Sequence, residues 1–281
     1  MATNMSTSTK QATNPNMELV DIGVNLTHRR FDDDRNQVIA RAGAAGVGEM
    51  IITGTSTRAS REARALAAAQ RGTLWATAGI HPHDARHASP EAIAELRELS
   101  QDPTVCAIGE CGLDFDRMFS SQEDQERAFA QQLALAAERQ LPVFLHERAA
   151  HDRFAAMLRE HRARLRGAVV HCFTGTAAEL EVYLSLDLHI GITGWICDER
   201  RGVGLRALIP RIPRDRLMIE TDAPFLTPRD LVPRPANGRN EPAFLPQVLA
   251  AVARAAGRPP EQIAAETTRT ARAFFGLMAP S

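Results

Sequence analysis

Lysine is almost missing from this 281-residue sequence, because Lys10 is the only one and arginine supplies the other basic residues. The chain after residue 10 therefore has no lysine for a Schiff base, for a carbamylated bridge between two metals, or for a phosphate-binding GK[ST] loop. Mechanisms that depend on these groups are excluded.

Cysteine and long apolar runs are also scarce. Four cysteines, none in a CxxC pair or with zinc-finger spacing, lie in apolar runs typical of strands: Cys106, Cys111, Cys172 and Cys197. They indicate small buried thiols in a reducing compartment. No apolar run approaches the roughly 18 residues of a membrane span. The polar segment 1–16 lacks the apolar core of a signal peptide and predicts a disordered tail, so we expect a cytoplasmic protein with no membrane contact.

Excess charge and large aromatic rings are missing as well. The formal net charge is −1, so there is no global positive field to hold nucleic acid non-specifically. One tyrosine and two tryptophans leave little material for an extended base-stacking surface. A polyanionic substrate would have to be bound locally, at a short site.

Short apolar runs do recur, and each is followed by a loop and a helical stretch rich in Ala, Arg, Glu and Leu. Ser89-Pro90 predicts the start of a helix that ends near Leu99, and Ser121 predicts one that ends near Arg139. A loop at 227–240 precedes two predicted helices at 242–256 and 260–275. The eight predicted strands are 20–26, 49–55, 74–82, 105–114, 142–147, 168–175, 189–197 and 217–225.

This alternation predicts a (β/α)8 TIM barrel formed by one domain, residues 17–281. A doubly wound open sheet is the structural alternative. No GxGxxG follows a predicted strand, which weakens the dinucleotide-binding form of that alternative.

Polar residues collect where the predicted strands end, at the face of a barrel where active sites lie. A lone histidine at a strand end is more often hydrogen-bonded filler than a ligand, and Asp222 before Ala-Pro could merely cap a turn. Several strands, however, place ligand-type residues at one level, and a divalent metal would offset the cost of burying them together. Imidazole and carboxylate suit Zn, Mn or Fe, and Mg more weakly. The ligand-type residues at these predicted strand ends are His81, Glu110, His146, His171, Glu220 and Asp222.

Two places suggest binding of phosphate. Asn240 could cap a helix that starts near Pro242, with Arg239 beside it, and helix N-termini attract anions. Arg148 follows His146 by two residues and could lean over the same rim.

The motifs resemble those of the TatD family of metal-dependent hydrolases, which share an amidohydrolase-like barrel. The resemblance extends from about residue 18 to the C-terminus. It rests on DIGVNLT (21–27), GIHPHD (79–84), IGECGLDF (108–115), PVFLHER (142–148), HCFTGT (171–176), GITGWICDERRG (191–202), IETDAPFL (219–226) and GRNEPAFLP (238–246).

The resemblance implies a magnesium-dependent 3′→5′ exonuclease that acts on ends of single-stranded DNA and RNA, with Mn²⁺ or Zn²⁺ as other candidate metals and no organic cofactor. It implies that Glu110, His146 and His171 bind the metal. Asp222 would be a ligand or the base that orients the attacking water, and His81 would contact the scissile phosphate or the leaving group.

The first predicted strand departs from this pattern. Many relatives carry D-x-H-x-H there, whereas Gly23 and Asn25 occupy the histidine positions here. A permanent two-metal centre is therefore in doubt. We expect Asp21 and Asn25 to point to the mouth of the barrel, and we include Asp21, Asn25 and Glu220 with Arg148, Arg239 and Asn240 as candidate substrate or phosphate contacts.

Two other functions stay open at this stage. An amidohydrolase-type C–N hydrolase or deaminase would use a similar barrel, but the folded region has no bridging lysine and the first predicted strand has no HxH pair. A non-catalytic relative without metal is the second, and the retained Glu110, His146, His171 and Asp222 argue against it. We expect a monomer.

Overall fold

The computed structural model describes residues 18–277, and their strands form one sheet of eight parallel strands in sequence order. A parallel bridge between Val24 and Ala223 joins the first strand to the segment after the last. The fold is therefore a TIM barrel, as predicted. The strands are β1 Leu19–Val24, β2 Val47–Ile52, β3 Leu74–Ala78, β4 Val105–Asp114, β5 Val143–Arg148, β6 Ala168–Val170, β7 His189–Ile192 and β8 Leu217–Ile219.

Helices follow the strands and pack around the barrel. They are α1 Arg35–Ala44, α2 Thr57–Ala69, α3 Pro90–Leu99, α4 Gln122–Arg139, α5 His151–His161, α6 Ala177–Ser185, α7 Gly202–Leu208, α8 Leu245–Ala256 and α9 Pro260–Phe275. The two N-caps read from the sequence are confirmed, because Ser89 and Ser121 each accept a hydrogen bond from a backbone N–H of the first helical turn. The predicted disordered tail, residues 1–16, lies outside the described residues.

Several predicted strands are too long at their C-terminal ends. We predicted ends at 82, 175, 197 and 225, whereas β3, β6, β7 and β8 end at Ala78, Val170, Ile192 and Ile219. Apolar residues continue past these points, but the backbone leaves the sheet, with positive φ angles of 47° at Cys172 and 52° at Asp222. The loops that result carry the polar residues of the barrel mouth.

The interior of the barrel is closed at the N-terminal ends of its strands. Side chains from several strands, among them Ile22, Phe144 and Met218, form a buried cluster with Phe274 and Phe275 of α9. Arg272 of the same helix forms ion pairs with Glu18 and Glu49 at that end. The opposite end holds the polar groups. Within residues 18–277, no helix has both the length and the apolar character required to cross a membrane.

Candidate metal centre at the mouth of the barrel

Three imidazoles surround one carboxylate oxygen at the C-terminal ends of the strands. Oε1 of Glu110 in β4 lies 2.9 Å from Nδ1 of His146 in β5 and 2.8 Å from Nε2 of His171 after β6. Nε2 of His81, which follows β3, lies 3.2 Å from the same oxygen. The structure thus brings together four of the residues that the sequence placed at separate strand ends, and only 6% of Glu110 is exposed.

The charges of this cluster reinforce one another. Burial alone would raise the pKa of Glu110, but the electrostatic interactions with His171 and His81 and the hydrogen bonds from His146 and His171 outweigh it and hold that pKa well below its usual range. Burial likewise opposes a charge on His171, yet Glu110 and Glu220 raise the pKa of His171 well above its usual value. The carboxylate is therefore ionised and exerts a strong attraction on a cation.

His81 differs from its neighbours in its protonation. Burial lowers its pKa, so the ring is neutral near pH 7. Its Nδ1 accepts a hydrogen bond from the backbone N–H of His83 at 3.1 Å, which places the single ring proton on Nε2. An Nε2–H group donates a hydrogen bond and has no free lone pair for a metal.

The donor set fits a divalent metal. Glu110, His146 and His171 supply one carboxylate and two imidazoles, with Oε1 of Glu110 2.9 and 2.8 Å from the ring nitrogens. Ligand atoms of His81, Glu110 and His146 also lie within 4.8 Å of one another, but the Nε2 proton of His81 makes that ring a hydrogen-bond donor. Nε2 of His146 is buried without a hydrogen-bond partner among the described residues, 3.5 Å from Oδ2 of Asp114. A buried polar atom without a partner is costly, and imidazole with carboxylate is a common ligand set for divalent ions.

Glu220 fills the space beside Gly23. Its carboxylate is fully buried, accepts a hydrogen bond from the backbone N–H of Cys172 at 2.6 Å, and lies 3.3 Å from Nδ1 of His171. A methyl group at Gly23 would lie 2.4 Å from Oε2 of Glu220. The carboxylate of Glu220 is thus enclosed and orients His171, and a substrate contact of Glu220 stays a prediction.

Asp222 and Asn25 form a pair at the edge of the cluster. The Asn25 side-chain amide donates to Oδ1 of Asp222 at 2.9 Å, and the Asp222 backbone N–H donates to the Gly23 carbonyl at 2.8 Å. Burial, aided by the charges of Glu110 and Glu220, raises the pKa of Asp222 to about 7, although His171 and the bond from Asn25 oppose the shift. Such a carboxylate can accept a proton near neutral pH.

Asp21 lies deeper than predicted. It is fully buried, and its carboxylate accepts hydrogen bonds from the backbone N–H of Thr221 at 2.9 Å and from the Thr221 hydroxyl at 2.5 Å. Burial raises its pKa to about 7. Asp21 thus joins β1 to the segment that carries Glu220 and Asp222, and a substrate contact of Asp21 stays a prediction.

Arg239 and Asn240 are committed to internal contacts. The Arg239 guanidinium donates to both carboxylate oxygens of Asp34 at 2.7 Å and to Glu241 at 2.7 Å. Asn240 is fully buried and donates to the carbonyls of Thr221 and Phe225, while Glu241 occupies the cap position of the short helical turn Pro242–Phe244. The prediction that Asn240 caps this helical turn is wrong, because Glu241 occupies that position. The phosphate contacts of Arg239 and Asn240 stay a prediction. Protein groups already bind both side chains, and Nε of Arg239 is buried without a partner among residues 18–277.

Arg148 is the predicted phosphate contact whose side chain is open to solvent. Half of it is exposed, and its Nε donates to Asp116 at 2.9 Å. An exposed ion pair of this kind exchanges readily for a phosphate. Its role stays a prediction.

Two buried glutamines on α4 were missed by the sequence reasoning. Gln132 accepts from the backbone N–H of Ile80 at 2.7 Å and donates to the Ile80 carbonyl at 3.0 Å. Gln125 makes the same pair of bonds with Asp114, at 2.8 and 3.0 Å. Their spacing of two helical turns places both on the face of α4 that packs on the barrel, which was the available signal.

Asp114, the last residue of β4, lies beside the cluster. Its Oδ2 lies 2.7 Å from Nε2 of His83, whose ring packs against the ring of His81 at a centroid distance of 4.2 Å. Asp114 thus holds the His83 ring, and His83 in turn packs against the His81 ring of the cluster.

Comparisons with known proteins agree with this geometry. A family model described as "TatD related DNase" matches residues 20–276. The 3′-5′ ssDNA/RNA exonuclease TatD of Pantoea vagans is 55% identical over 259 residues, which are 92% of this chain and 100% of the relative. The protein of the same name from Klebsiella pneumoniae is 53% identical over 92% of this chain and 98% of its own length. The crystal structure of the TatD homologue YjjV from Escherichia coli K12 superposes with a TM-score of 0.85 at 28% identity, covering 93% of this chain and 99% of that one.

Proposed function

This chain belongs to the TatD-related DNase family, and we propose that it is a divalent-metal-dependent 3′→5′ exonuclease of single-stranded DNA and RNA. The observation that carries the proposal is the Glu110 oxygen, which is buried and lies 2.8 to 3.2 Å from nitrogens of three imidazoles. Substrate and direction rest on the relatives named 3′-5′ ssDNA/RNA exonuclease TatD, which match over their full or nearly full length.

The proposed metal ligands are Glu110, His146 and His171, with Asp222 as a further ligand or as the base. His171 is preferred to His81, although ligand atoms of His81, Glu110 and His146 lie within 4.8 Å of one another. The Glu220 carboxylate near Nδ1 of His171 directs Nε2 toward Glu110, whereas the Nε2 proton of His81 blocks coordination. We favour Mg²⁺ for phosphate chemistry, with Mn²⁺ or Zn²⁺ as substitutes.

The bound cation would supply positive charge for the phosphate and lower the pKa of water at the site. Asp222 would accept the proton of the attacking water, because its pKa is about 7 and Asn25 holds its other oxygen in place. His81 would donate a hydrogen bond from Nε2 to the departing oxygen. Arg148 would bind a neighbouring phosphate at the rim.

The test uses single-stranded DNA and RNA labelled at either end, digested with Mg²⁺, with Mn²⁺ or with EDTA. We expect a 5′-labelled strand to shorten in single-nucleotide steps and a 3′-labelled strand to release its label at once, with no digestion in EDTA. Glu110→Gln should lower the rate by at least about a hundredfold, whereas Glu138→Gln, a surface change on α4, should not.

Two results would contradict the proposal. One is unchanged digestion by Glu110→Gln. The other is hydrolysis of a cyclic amide or a nucleobase by a protein that leaves all the nucleic acids intact, as a C–N hydrolase would.

A further inference from the structure

An open cavity of about 740 Å³ adjoins the candidate metal centre. Its walls come from the loops after β1, β2 and β3 and from α2. Asn25 belongs to both places, since it lines the cavity and donates to Asp222. The cavity has the size of a small-molecule site and continues directly from the proposed catalytic groups.

The lining suits an extended polar chain that has phosphates. Thr27, Thr55 and Ser56 supply hydroxyl groups, and Arg29, Arg35 and Arg58 supply guanidinium groups. Arg35 is committed, because it donates to the Leu26 carbonyl at 2.7 Å and to Asp32 at 2.6 Å.

Arg29 and Arg58 are available to a ligand. Arg29 forms no ion pair with any residue between 18 and 277 in the structure. Arg58 has only a helical-surface pair with Glu62 at 3.3 Å, and 78% of its side chain is exposed. Such a pair contributes little and exchanges readily for a phosphate.

Carboxylates limit how much nucleic acid the cavity can attract. Asp32, Glu62 and Asp84 also line it, so the charges of the three arginines are balanced. The cavity therefore is not part of a broad basic surface for duplex DNA, and it fits one or two phosphates that Arg29 and Arg58 contact directly.

We propose that this cavity binds the part of the single strand that lies 5′ of the nucleotide being removed. The proposal rests on the exonuclease function given above. An enzyme that removes the 3′-terminal nucleotide must hold the rest of the strand and let it leave toward solvent. The exposed Arg58 lies where such a strand would leave, and Asn25 lies where it would enter the catalytic cluster.

The test compares a dinucleotide with a ten-nucleotide strand that has the same 3′-terminal dinucleotide. The dinucleotide has a single phosphodiester, the scissile one, so it brings no further phosphate to Arg29 and Arg58. In the double variant Arg29→Gln, Arg58→Gln, we expect KM for the ten-nucleotide strand to rise about tenfold and to depend less on salt. We expect KM for the dinucleotide and both kcat values to stay unchanged.

The matched control is Arg71→Gln, Arg159→Gln. Both residues are exposed, like Arg29 and Arg58. Arg71 follows α2 and Arg159 lies in the last turn of α5, and these helix ends are on the opposite face of the barrel. It removes the same charge and should leave every KM unchanged.

Three outcomes would count against a proposal, and they are distinguishable. An unchanged KM for the ten-nucleotide strand overturns the cavity assignment. An equal rise for both substrates also overturns it, because the arginines would then bind the terminal nucleotides. If wild-type protein cleaves neither substrate, the proposed exonuclease function itself is contradicted.

Discussion

At the scale of single residues, His81 and His171 lie at similar distances from Glu110 but have opposite hydrogen-bond environments. A backbone N–H donates to Nδ1 of His81, and a carboxylate lies beside Nδ1 of His171. His81 therefore has a hydrogen-bond donor at Nε2. His171 has a lone pair at Nε2 once a metal displaces the second ring proton.

Alanine substitutions should separate the two roles. His171→Ala should weaken Mn²⁺ binding at least about tenfold, because it removes a metal ligand that the Glu220 carboxylate orients. His81→Ala should leave Mn²⁺ affinity within about twofold and lower kcat about a hundredfold. Isothermal titration calorimetry and single-strand digestion measure the two effects.

His161→Ala, a change at the end of α5 remote from the cluster, is the control for both measurements. Loss of metal binding in the His81 variant, with normal binding in the His171 variant, would reverse our assignment.

Residue type and strand phase predict the composition of the cluster better than the bonding of its members. Residue type and strand phase predicted which polar side chains meet at the barrel mouth, and Glu110, His146, His171 and His81 do meet there. They could not show which polar groups are already satisfied by protein. Asp21, Glu220 and Asn240 are buried and bonded to segments distant in sequence, so only the fold reveals that they are not free.

At the scale of elements, α4 acts on the catalytic cluster without touching it. Gln132 takes the place of a neighbouring strand for the backbone of Ile80, which lies two residues beyond the end of β3 and directly before His81. The helix thus fixes the loop that presents His81.

Gln132→Leu should therefore leave a buried N–H and C=O of Ile80 unpaired and lower the free energy of unfolding by about 1–3 kcal/mol. It should also lower kcat more than it changes KM, because His81 loses its position. Gln122→Leu, at the exposed start of the same helix, is the control. If kcat of Gln132→Leu equals that of wild type in the folded protein, the positioning role is excluded.

Closure of the barrel between β1 and the segment after β8 depends on one buried carboxylate. Asp21→Ala should cost about 2–4 kcal/mol in urea unfolding, since two Thr221 donors lose their acceptor inside the protein. Asp215→Ala removes an exposed carboxylate and should change the free energy of unfolding by less than about 0.5 kcal/mol. Equal stability of the two variants would refute the closure role of Asp21.

The elements themselves were largely readable from the sequence, and their limits less so. Ser89 and Ser121 predicted the starts of α3 and α4 correctly, because a helix cap is a local interaction that the sequence itself shows. The ends of β6 and β8 were misplaced because pairing with a neighbouring strand, rather than apolar character, decides where a strand ends.

At the scale of the whole molecule, stability should depend on one histidine far from the cluster. His189, at the start of β7, packs on the ring of Phe274, and burial together with the charge of Arg216 lowers its pKa to about 4. In the unfolded chain His189 binds a proton near pH 6.5, whereas in the folded protein it does so only near pH 4. The contribution of His189 to the free energy of unfolding is therefore fully present above pH 6.5 and is lost as the pH falls toward 4.

Thermal unfolding of wild type and His189→Gln, followed from pH 7 to pH 4, isolates this contribution. The loss of stability over that interval should be about 1–2 kcal/mol smaller in the variant, because glutamine does not titrate. Parallel curves for the two proteins would show that His189 does not contribute to acid sensitivity.

Anomalous diffraction from crystals grown with Mn²⁺ tests most directly whether a metal binds at Glu110. We predict a single strong peak per chain, in contact with the Glu110 carboxylate and with His146 and His171, while Glu220 keeps the space beside Gly23. Two peaks fully ligated by protein, or one peak away from Glu110, would contradict the account.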